Sequence, residues 1–529
     1  MSSDNHRYLE SHQTSDDFDD KTDLLTEGKQ SVNQPAFNKW TSVRVMYLTM
    51  FLSSMAFSIV LSSLWPFLRT VDKDATPTIL GVVVASFSLG QLLGSPVFGY
   101  WANRRQSKEP VVVSCILALV GNCMYGYSGS LSEHNIFNAI TMMSARFIVG
   151  FGAGNVAITR SFVSHSTTLE ERTAAMANMS IAQALGFIIG PAIGLAFVPL
   201  GEDGVQVSAI YFQLNIYTAP GFLGATLALL NVVFVLVFFR EHVNIVAVPD
   251  SDSLTPSIQV TGDSGYSASH LKMDKLAVIG CIGLFFIVLF VFTVFETLTT
   301  PLSMDEYAWS SVQATFYNGI LFAVAAVISV VTFLLAKPLS RKVDERTLLV
   351  VGFIIIACGI VVLLPWSKES PAVMASFIDT NPTVKVTSTA TEPTFLPFNT
   401  EAASSSRGCP LQYRWCINSS KVLIQQFFAG AVLISIGYPV SSLMTYSLYS
   451  KILGERKQGT MMGWLTASGS LARTLGPVFV SSVYHRFGPR WTFVSSGVIV
   501  AIALLALWYL YRRLVPFHLN FRINGLQHY

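Results

Sequence analysis

The chain has 529 residues and a formal net charge of +3, from 34 Lys and Arg against 31 Asp and Glu. Charged residues make up 12% of it, about half of the roughly 25% expected of a soluble globular domain. A soluble body of this size needs charge to cover its surface. The composition therefore excludes a typical cytosolic enzyme and, more firmly, a disordered or nucleic-acid-binding chain.

In chain order, residues 1–34 hold eight acidic and three basic residues and read as a disordered acidic stretch of a cytosolic tail, residues 1–40. Within it, Asp20-Lys-Thr-Asp-Leu24-Leu25 has the pattern of an acidic dileucine sorting signal. Clathrin adaptors read such signals on the way to endosomes and lysosomes, although so short a pattern also arises by chance. No apolar h-region lies in residues 1–40, so the first span is expected to act as the targeting signal.

Twelve apolar stretches follow, each able to cross a hydrocarbon core at about 1.5 Å per helical residue. They are residues 45–68, 79–101, 111–129, 137–159, 173–199, 215–239, 276–298, 312–335, 347–366, 422–447, 459–482 and 491–511, numbered here as spans 1 to 12. In lipid every backbone polar group needs an internal partner, so these spans must be helices. The loops on one side hold fourteen Lys and Arg and the short loops on the other hold four. That excess predicts a cytosolic basic side, and an even span count puts both termini there.

The expected fold is an all-α membrane protein with twelve transmembrane helices in two pseudo-symmetric six-helix halves. The first half is residues 41–239 and the second is residues 276–511. A Ser/Thr/Gly-rich cytosolic linker, residues 240–275, joins them, and residues 512–529 form a cytosolic tail. Sequence echoes support the duplication. Glu171-Arg172 leads to Gly190-Pro191 as Glu455-Arg456 leads to Gly476-Pro477, and the run 99–105 aligns with 336–342. The offset grows from 237 to 284–286 residues, a jump close to the length of a luminal insertion, residues 367–421.

The run after span 2 reads Gly90-Gln91-Leu-Leu-Gly94-Ser-Pro96-Val-Phe-Gly99-Tyr-Trp-Ala-Asn103-Arg104-Arg105. It resembles the signature loop of the major facilitator superfamily, Gly-x-x-x-Asp followed by bases. The resemblance implies a cytosolic gate at Gly99, Asn103, Arg104 and Arg105 that locks the halves together. Asn103 stands where the family has an acid, and an amide cannot form a charge-paired latch, so the lock is expected to be weaker or differently built. The bland reading is a polar turn on the basic side.

Span 4 reads Arg146-Phe-Ile-Val-Gly150-Phe-Gly152-Ala-Gly154-Asn155. Arg146, Gly150 and Gly154 share a helix face, and the glycines suit close helix packing. A guanidinium deep in a span costs several kcal/mol unless it meets a cavity or partner. Arg146 and Asn155 are therefore placed on a solute or anion pathway, with a structural ion pair as the alternative. Arg160 is placed at the cytosolic end. Span 5 carries Gly186-Phe-Ile-Ile-Gly190-Pro191, an incomplete form of the family's antiporter motif, which reads equally as a kinked packing helix.

Span 7 holds Glu296, the one acid in any predicted span, as a proton-sensing or coupling candidate against a snorkelling alternative. In the insertion, Cys409 and Cys416 read as a disulfide in an oxidising lumen, since a metal site would need more ligands. Asn418-Ser-Ser420 is a glycosylation sequon. Tyr438 and Tyr446 in span 10 offer neutral polar groups to a pathway. Span 11 carries Gly469-Ser-Leu-Ala-Arg473-Thr-Leu-Gly476-Pro477. There Gly476 and Pro477 are packing candidates, and Arg473 is either an anion-binding group or a clamp between helices.

The chain as a whole resembles a major facilitator superfamily transporter, and more narrowly an endolysosomal branch of that family. The supporting runs include Tyr47 to Ser54, Ser180 to Gly190, Met462 to Gly469 and Gly488 to Trp491. The resemblance implies a glycosylated endolysosomal membrane protein with chloride conduction as its activity. The residues themselves offer cations in the bundle, which suit an anion, and no ring of acids to suit a metal cation. The alternative is a proton-coupled, alternating-access exporter of an organic solute. A membrane sensor or scaffold ranks last. No nucleophile–base pair, metal cluster or phosphate loop is visible, so neither an enzyme nor a cofactor is expected. The expected partners are membrane lipid, a small anion or organic solute with protons, and a clathrin adaptor, with no nucleic acid.

Overall fold

The computed structural model describes residues 39–72, 77–128, 135–201, 204–207, 212–240, 274–371, 408–409, 413, 415–454 and 457–516. The sorting signal at Asp20, Leu24 and Leu25 lies outside them, as do most of the linker, most of the insertion and the end of the C-terminal tail. The N-terminal helices are α1 (Lys39–Val71), α2 (Pro77–Arg104), α3 (Lys108–Tyr127), α4 (Asn135–Gly152), α5 (Asn155–His165), α6 (Leu169–Gly194) and α7 (Ala219–Phe238). The C-terminal helices are α8 (Lys275–Tyr307), α9 (Ser311–Lys342), α10 (Glu345–Leu363), the short α11 (Trp415–Asn418), α12 (Ile424–Leu453) and α13 (Gly459–Leu510).

Among the described residues, eleven helical segments are long and apolar enough to cross a membrane. The longest, α13, has 52 residues and turns at Gly488, where φ is 79°. A side chain at that φ is disfavoured, and a Cβ there would also stand 2.6 Å from the Trp415 ring. Pro489 then starts the next helix, a position that suits its missing N–H. Thus α13 supplies spans 11 and 12, and twelve crossings result, as the apolar pattern predicts.

Several helices outrun their predicted spans. α8 is capped by Asp274, whose side chain accepts from the Leu276 and Ala277 N–H groups at 3.0 and 3.2 Å. α9 begins at a capping box between Ser310 and Gln313. Such caps hold polar helix ends beyond the apolar run, which a hydropathy window does not see. Span 5 becomes the 3-10 segment Leu195–Leu200 after Gly194. A two-stranded hairpin that the sequence reading did not anticipate, β1 (Val205–Val207) paired antiparallel with β2 (Phe212–Leu214), precedes α7.

Packing repeats under a shift of six spans. Span 1 packs on spans 5 and 6, span 2 on span 4, and span 3 on spans 4 and 6. Span 7 correspondingly meets span 11 where Gly469 faces Phe285 and Leu289, and meets span 12 where Gly280 faces Leu510. Span 8 packs on span 10, span 9 on span 10, and span 9 meets span 12 at Ile360 and Gly497. The halves join through span 2 with span 11 and through span 5 with span 8, which is again one contact and its shifted copy.

On the side opposite the basic one, Cys409 and Cys416 form a disulfide with Cα atoms 5.9 Å apart. Nearby, Trp415 packs on Tyr484 at 5.2 Å between ring centroids. The Val422 N–H donates to Glu306 Oε2 at 3.1 Å, and the Tyr484 hydroxyl donates to Asp305 at 2.9 Å. The end of the insertion thus packs on span 11, while span 10 and span 11 are each bonded to the end of α8. Asn418 closes α11, six residues before α12 begins.

Candidate functional site: the interface between the halves

The interface is closed on the basic side. Gly99 of span 2 meets Gly459 at the start of span 11 backbone to backbone, and neither position has room for a Cβ. Asn103 then caps the partner helix. Its Oδ1 accepts the Gly459 N–H at 2.7 Å and its Nδ2 donates to Thr460 Oγ1 at 2.8 Å. Lys457 donates to the Asn103 carbonyl at 3.0 Å. The amide satisfies a free N–H at a helix start, which a neutral acceptor does as well as an acid. Arg104 lies over the ring of its own helix's Tyr100 at 5.1 Å and Arg105 is exposed, so the bases add charge outside the latch.

A second group of contacts closes the same side between spans 4, 5, 8, 9 and 10. Ser164 bonds to Ser450, and it donates to Gln458 Oε1 at 2.8 Å. Glu345 Oε1 accepts from Thr173 across the halves, from Ser447 at 3.0 Å and from Lys451 at 2.7 Å. Lys337 of span 8 bonds to Asn178 of span 5. A carboxylate with this many donors is well satisfied although only 8% of its side chain is exposed. The sequence reading missed Glu345 because it looks like an ordinary acid at the start of a helix.

Deeper in, polar groups of both halves form a chain. Arg160 of α5 is 2% exposed. Its guanidinium lies 3.7 Å from the centre of the Tyr446 ring in span 10. It donates to Gln183 Oε1 at 3.0 Å and reaches Ser180 at 3.5 Å, both in span 5. Tyr438, also in span 10, is within electrostatic reach of Arg160 and of Arg473. Arg473 of span 11 in turn reaches Glu296 of span 7. Glu296 keeps exposed surface beside the Arg473 guanidinium. One guanidinium from each half and a single carboxylate therefore share the interior.

Arg160, placed by the sequence reading at the cytosolic end of span 4, lies in α5, which follows the two-residue turn after Gly152, and its side chain meets span 10 of the other half. Gln183 was not anticipated; its signal was an amide in mid-span. Conversely, Arg146 and Asn155 lie inside the N-terminal half. Arg146 is 1% exposed, with the rings of Phe57 and Phe87 at 5.3 and 5.1 Å.

The glycines serve packing. A Cβ on Gly150 would strike the Phe87 backbone, one on Gly154 the Gly94 backbone, and one on Gly186 the Phe51 carbonyl. Gly190 faces Ser58, and Gly476 faces Thr293 at 3.0 Å. Pro191 lies inside α6 and Pro477 inside α13. Thr445 donates to the Ser441 carbonyl of its own helix at 2.7 Å.

Comparison with known proteins agrees with this geometry. The family model described as Major Facilitator Superfamily matches residues 46–408 and 411–523. The chain is 44% identical over 508 residues to major facilitator superfamily domain-containing protein 8 of Xenopus laevis, covering 95% of this chain and 98% of that one. Among solved structures, the human organic anion transporter MFSD10 superposes with a TM-score of 0.60 at 17% identity, over 90% of this chain and 100% of that one. The proton:xylose symporter XylE gives 0.61 at 13% identity, over 89% and 95%. These two likenesses are of fold. Twelve crossings, a six-span packing repeat, a close contact between the halves at Gly99 and Gly459 and a family match along nearly the whole chain lead to one conclusion: the chain belongs to the Major Facilitator Superfamily and is a membrane transporter, not an enzyme.

Proposed function

We propose that the chain moves a small anion, chloride first, across the endosomal and lysosomal membrane by opening the space around Arg160 and Arg473 to each side in turn. The observation that supports this most is the balance of charge there. Each half supplies one guanidinium, and among the described residues Glu296 is the only acid beside them. Such an interior favours an anion over a cation. Tyr438 and Tyr446 add phenol groups that suit a partly hydrated anion. The latch on the basic side supports alternating access, because its contacts are short polar bonds and glycine approaches that can part and re-form.

A second reading, a solute carried with protons, is favoured by Glu296 lying within reach of Arg473. An anion that takes the charge of Arg473 leaves Glu296 free to bind a proton. The two readings separate with purified protein in liposomes, by following chloride influx with and without an inward proton gradient. Uncoupled movement predicts that Glu296→Gln keeps its influx and ignores the gradient. Coupled movement predicts that the gradient accelerates the wild type and that Glu296→Gln abolishes the acceleration. Chloride influx no faster than in protein-free liposomes would sink the anion reading.

The endolysosomal address rests on Asp20, Leu24 and Leu25, as a site for a clathrin adaptor. Changing both leucines to Ala is expected to move most of the protein to the cell surface, scored by surface biotinylation; unchanged lysosomal staining would refute the signal. A glycan on Asn418, beyond the disulfide, fits the same orientation.

A further inference from the structure

We propose that Asp305 and Glu306, at the end of α8, form a proton-binding site apart from Glu296, which clasps the luminal ends of spans 7, 10 and 11 together when the lumen is acidic. The two acids stand seven and eight residues beyond the end of span 7, about 10–12 Å further along the helix axis. They lie on the side opposite the basic loops, where the Val422 N–H of span 10 and the Tyr484 hydroxyl after span 11 are bonded to them.

Glu306 is completely buried. Its Oε2 accepts one bond, from the Val422 N–H at 3.1 Å, and its Oε1 has no hydrogen-bond partner among the described residues. An ionised carboxylate buried with a single donor is strongly unfavourable, whereas a protonated one is not. Glu345, buried almost as deeply, makes the contrast: Thr173, Ser447 and Lys451 all donate to it, as an ionised acid requires. The titratable groups that face the pair come from three segments. Tyr307 belongs to α8, Tyr413 and Lys421 to the insertion, and Tyr484 and His485 to the end of span 11. Lys421 favours the charged form of Glu306, but its ammonium stands over the Tyr307 ring, 6.0 Å from its centre. Burial is the larger effect, and Asp305 adds to it, so the Glu306 carboxyl is pushed above the ordinary carboxylate range. Burial raises Asp305 as well, against the Tyr484 bond and the His485 charge.

Adjacent acids repel each other's charge, so the two titrate as a pair. Fully protonated, the pair stays buried against Val422 and Tyr484. As protons leave, the charge has to reach water, and the end of α8 parts from the start of span 10. A carboxyl raised by burial adds stability that is complete below the ordinary carboxyl range, about pH 4, and is lost as the pH rises through the raised values. The clasp is therefore tight in an acidic compartment and loose in a neutral one. It acts on spans 7, 10 and 11, which carry Glu296, Tyr438 and Arg473. Its state is read in structure and not in flux, so the inference goes beyond the transport reading and survives if that reading fails.

The test uses the purified full chain in detergent, in a background of His485→Gln, which removes the imidazole that titrates beside the pair. Thermal unfolding is followed at pH 5 and pH 8.5. Hydrogen–deuterium exchange of the peptide around Val422 is followed at the same two values, with exchange times scaled for the intrinsic pH dependence. The background protein is expected to lose Tm from pH 5 to pH 8.5 and to exchange several-fold faster at Val422. Adding Asp305→Asn with Glu306→Gln, whose amides imitate the protonated acids, should shrink the loss by about 2–4 °C and remove most of the faster exchange. Should that variant not fold, Glu306→Gln alone is expected to shrink the loss by at least half as much. A Tm equal at both pH values in the background protein would overturn the proposal, as would a loss and an exchange rate unchanged by the amide substitutions.

Discussion

Gly99→Val is expected to hold the basic side open and to reduce transport by about tenfold or more. The Gly99 position faces the Gly459 backbone with no room for a Cβ, and neither backbone can yield while both helices stay straight. Overpacking of this kind costs about 1–3 kcal/mol, and here the cost falls only on the latched state. The population therefore shifts away from it by about 5- to 150-fold. Asn103→Ala acts on the same state by a softer route, through the loss of two hydrogen bonds worth about 1 kcal/mol each. Asn103→Asp keeps the acceptor for the Gly459 N–H and gains a charge near Lys457, so it should perturb the latch less than Ala. Spin labels at the exposed positions Arg105 and Lys342, one in each half, read the outcome directly. The distance between them should lengthen in the order wild type, Asn103→Asp, Asn103→Ala, Gly99→Val. An unchanged distance in Gly99→Val would show that the closed contact is not a gate.

The second large effect is at the two guanidinium groups of the interior. Arg473→Gln and Arg160→Gln are each expected to slow chloride movement by about two orders of magnitude, the usual scale for removing one pre-placed charge or donor from a desolvated site. They should differ in kind. Arg473 reaches Glu296 and Tyr438, so its loss also leaves Glu296 without a counter-charge. Glu296→Gln is then expected to recover part of the lost rate in Arg473→Gln and none in Arg160→Gln. Arg160 holds Tyr446 across the halves and Gln183 within its own. Its replacement by Lys keeps the charge but loses the flat face that stacks on the phenol, so Lys should restore only a minor share.

The membrane class, the number of crossings and the close backbone approach at Gly99 were legible in the sequence for simple physical reasons. A hydrocarbon core enforces a long apolar run for each crossing, and a glycine repeat marks where backbones meet. Arg473 and Glu296 could be singled out because a charge inside such a run is costly unless it has a purpose. The partners of Arg160 could not be read, because Tyr446 comes from the other half, 286 residues further along the chain. Glu345 and Ser164 were invisible for a related reason. Their partners, Thr173, Ser450 and Gln458, come from the other half, and no local pattern encodes contacts more than a hundred residues apart. The turn at Gly488 is an intermediate case: Gly488-Pro489 is a legible breaker, while the Trp415 ring that packs there is not.

The most direct measurement of the central claim is chloride influx into liposomes bearing the purified wild type, beside the Arg160→Gln, Arg473→Gln double variant and protein-free liposomes. The account predicts saturable chloride influx in the wild type and rates near those of protein-free liposomes in the double variant. Wild-type influx no faster than protein-free liposomes, or a double variant as fast as the wild type, would contradict it.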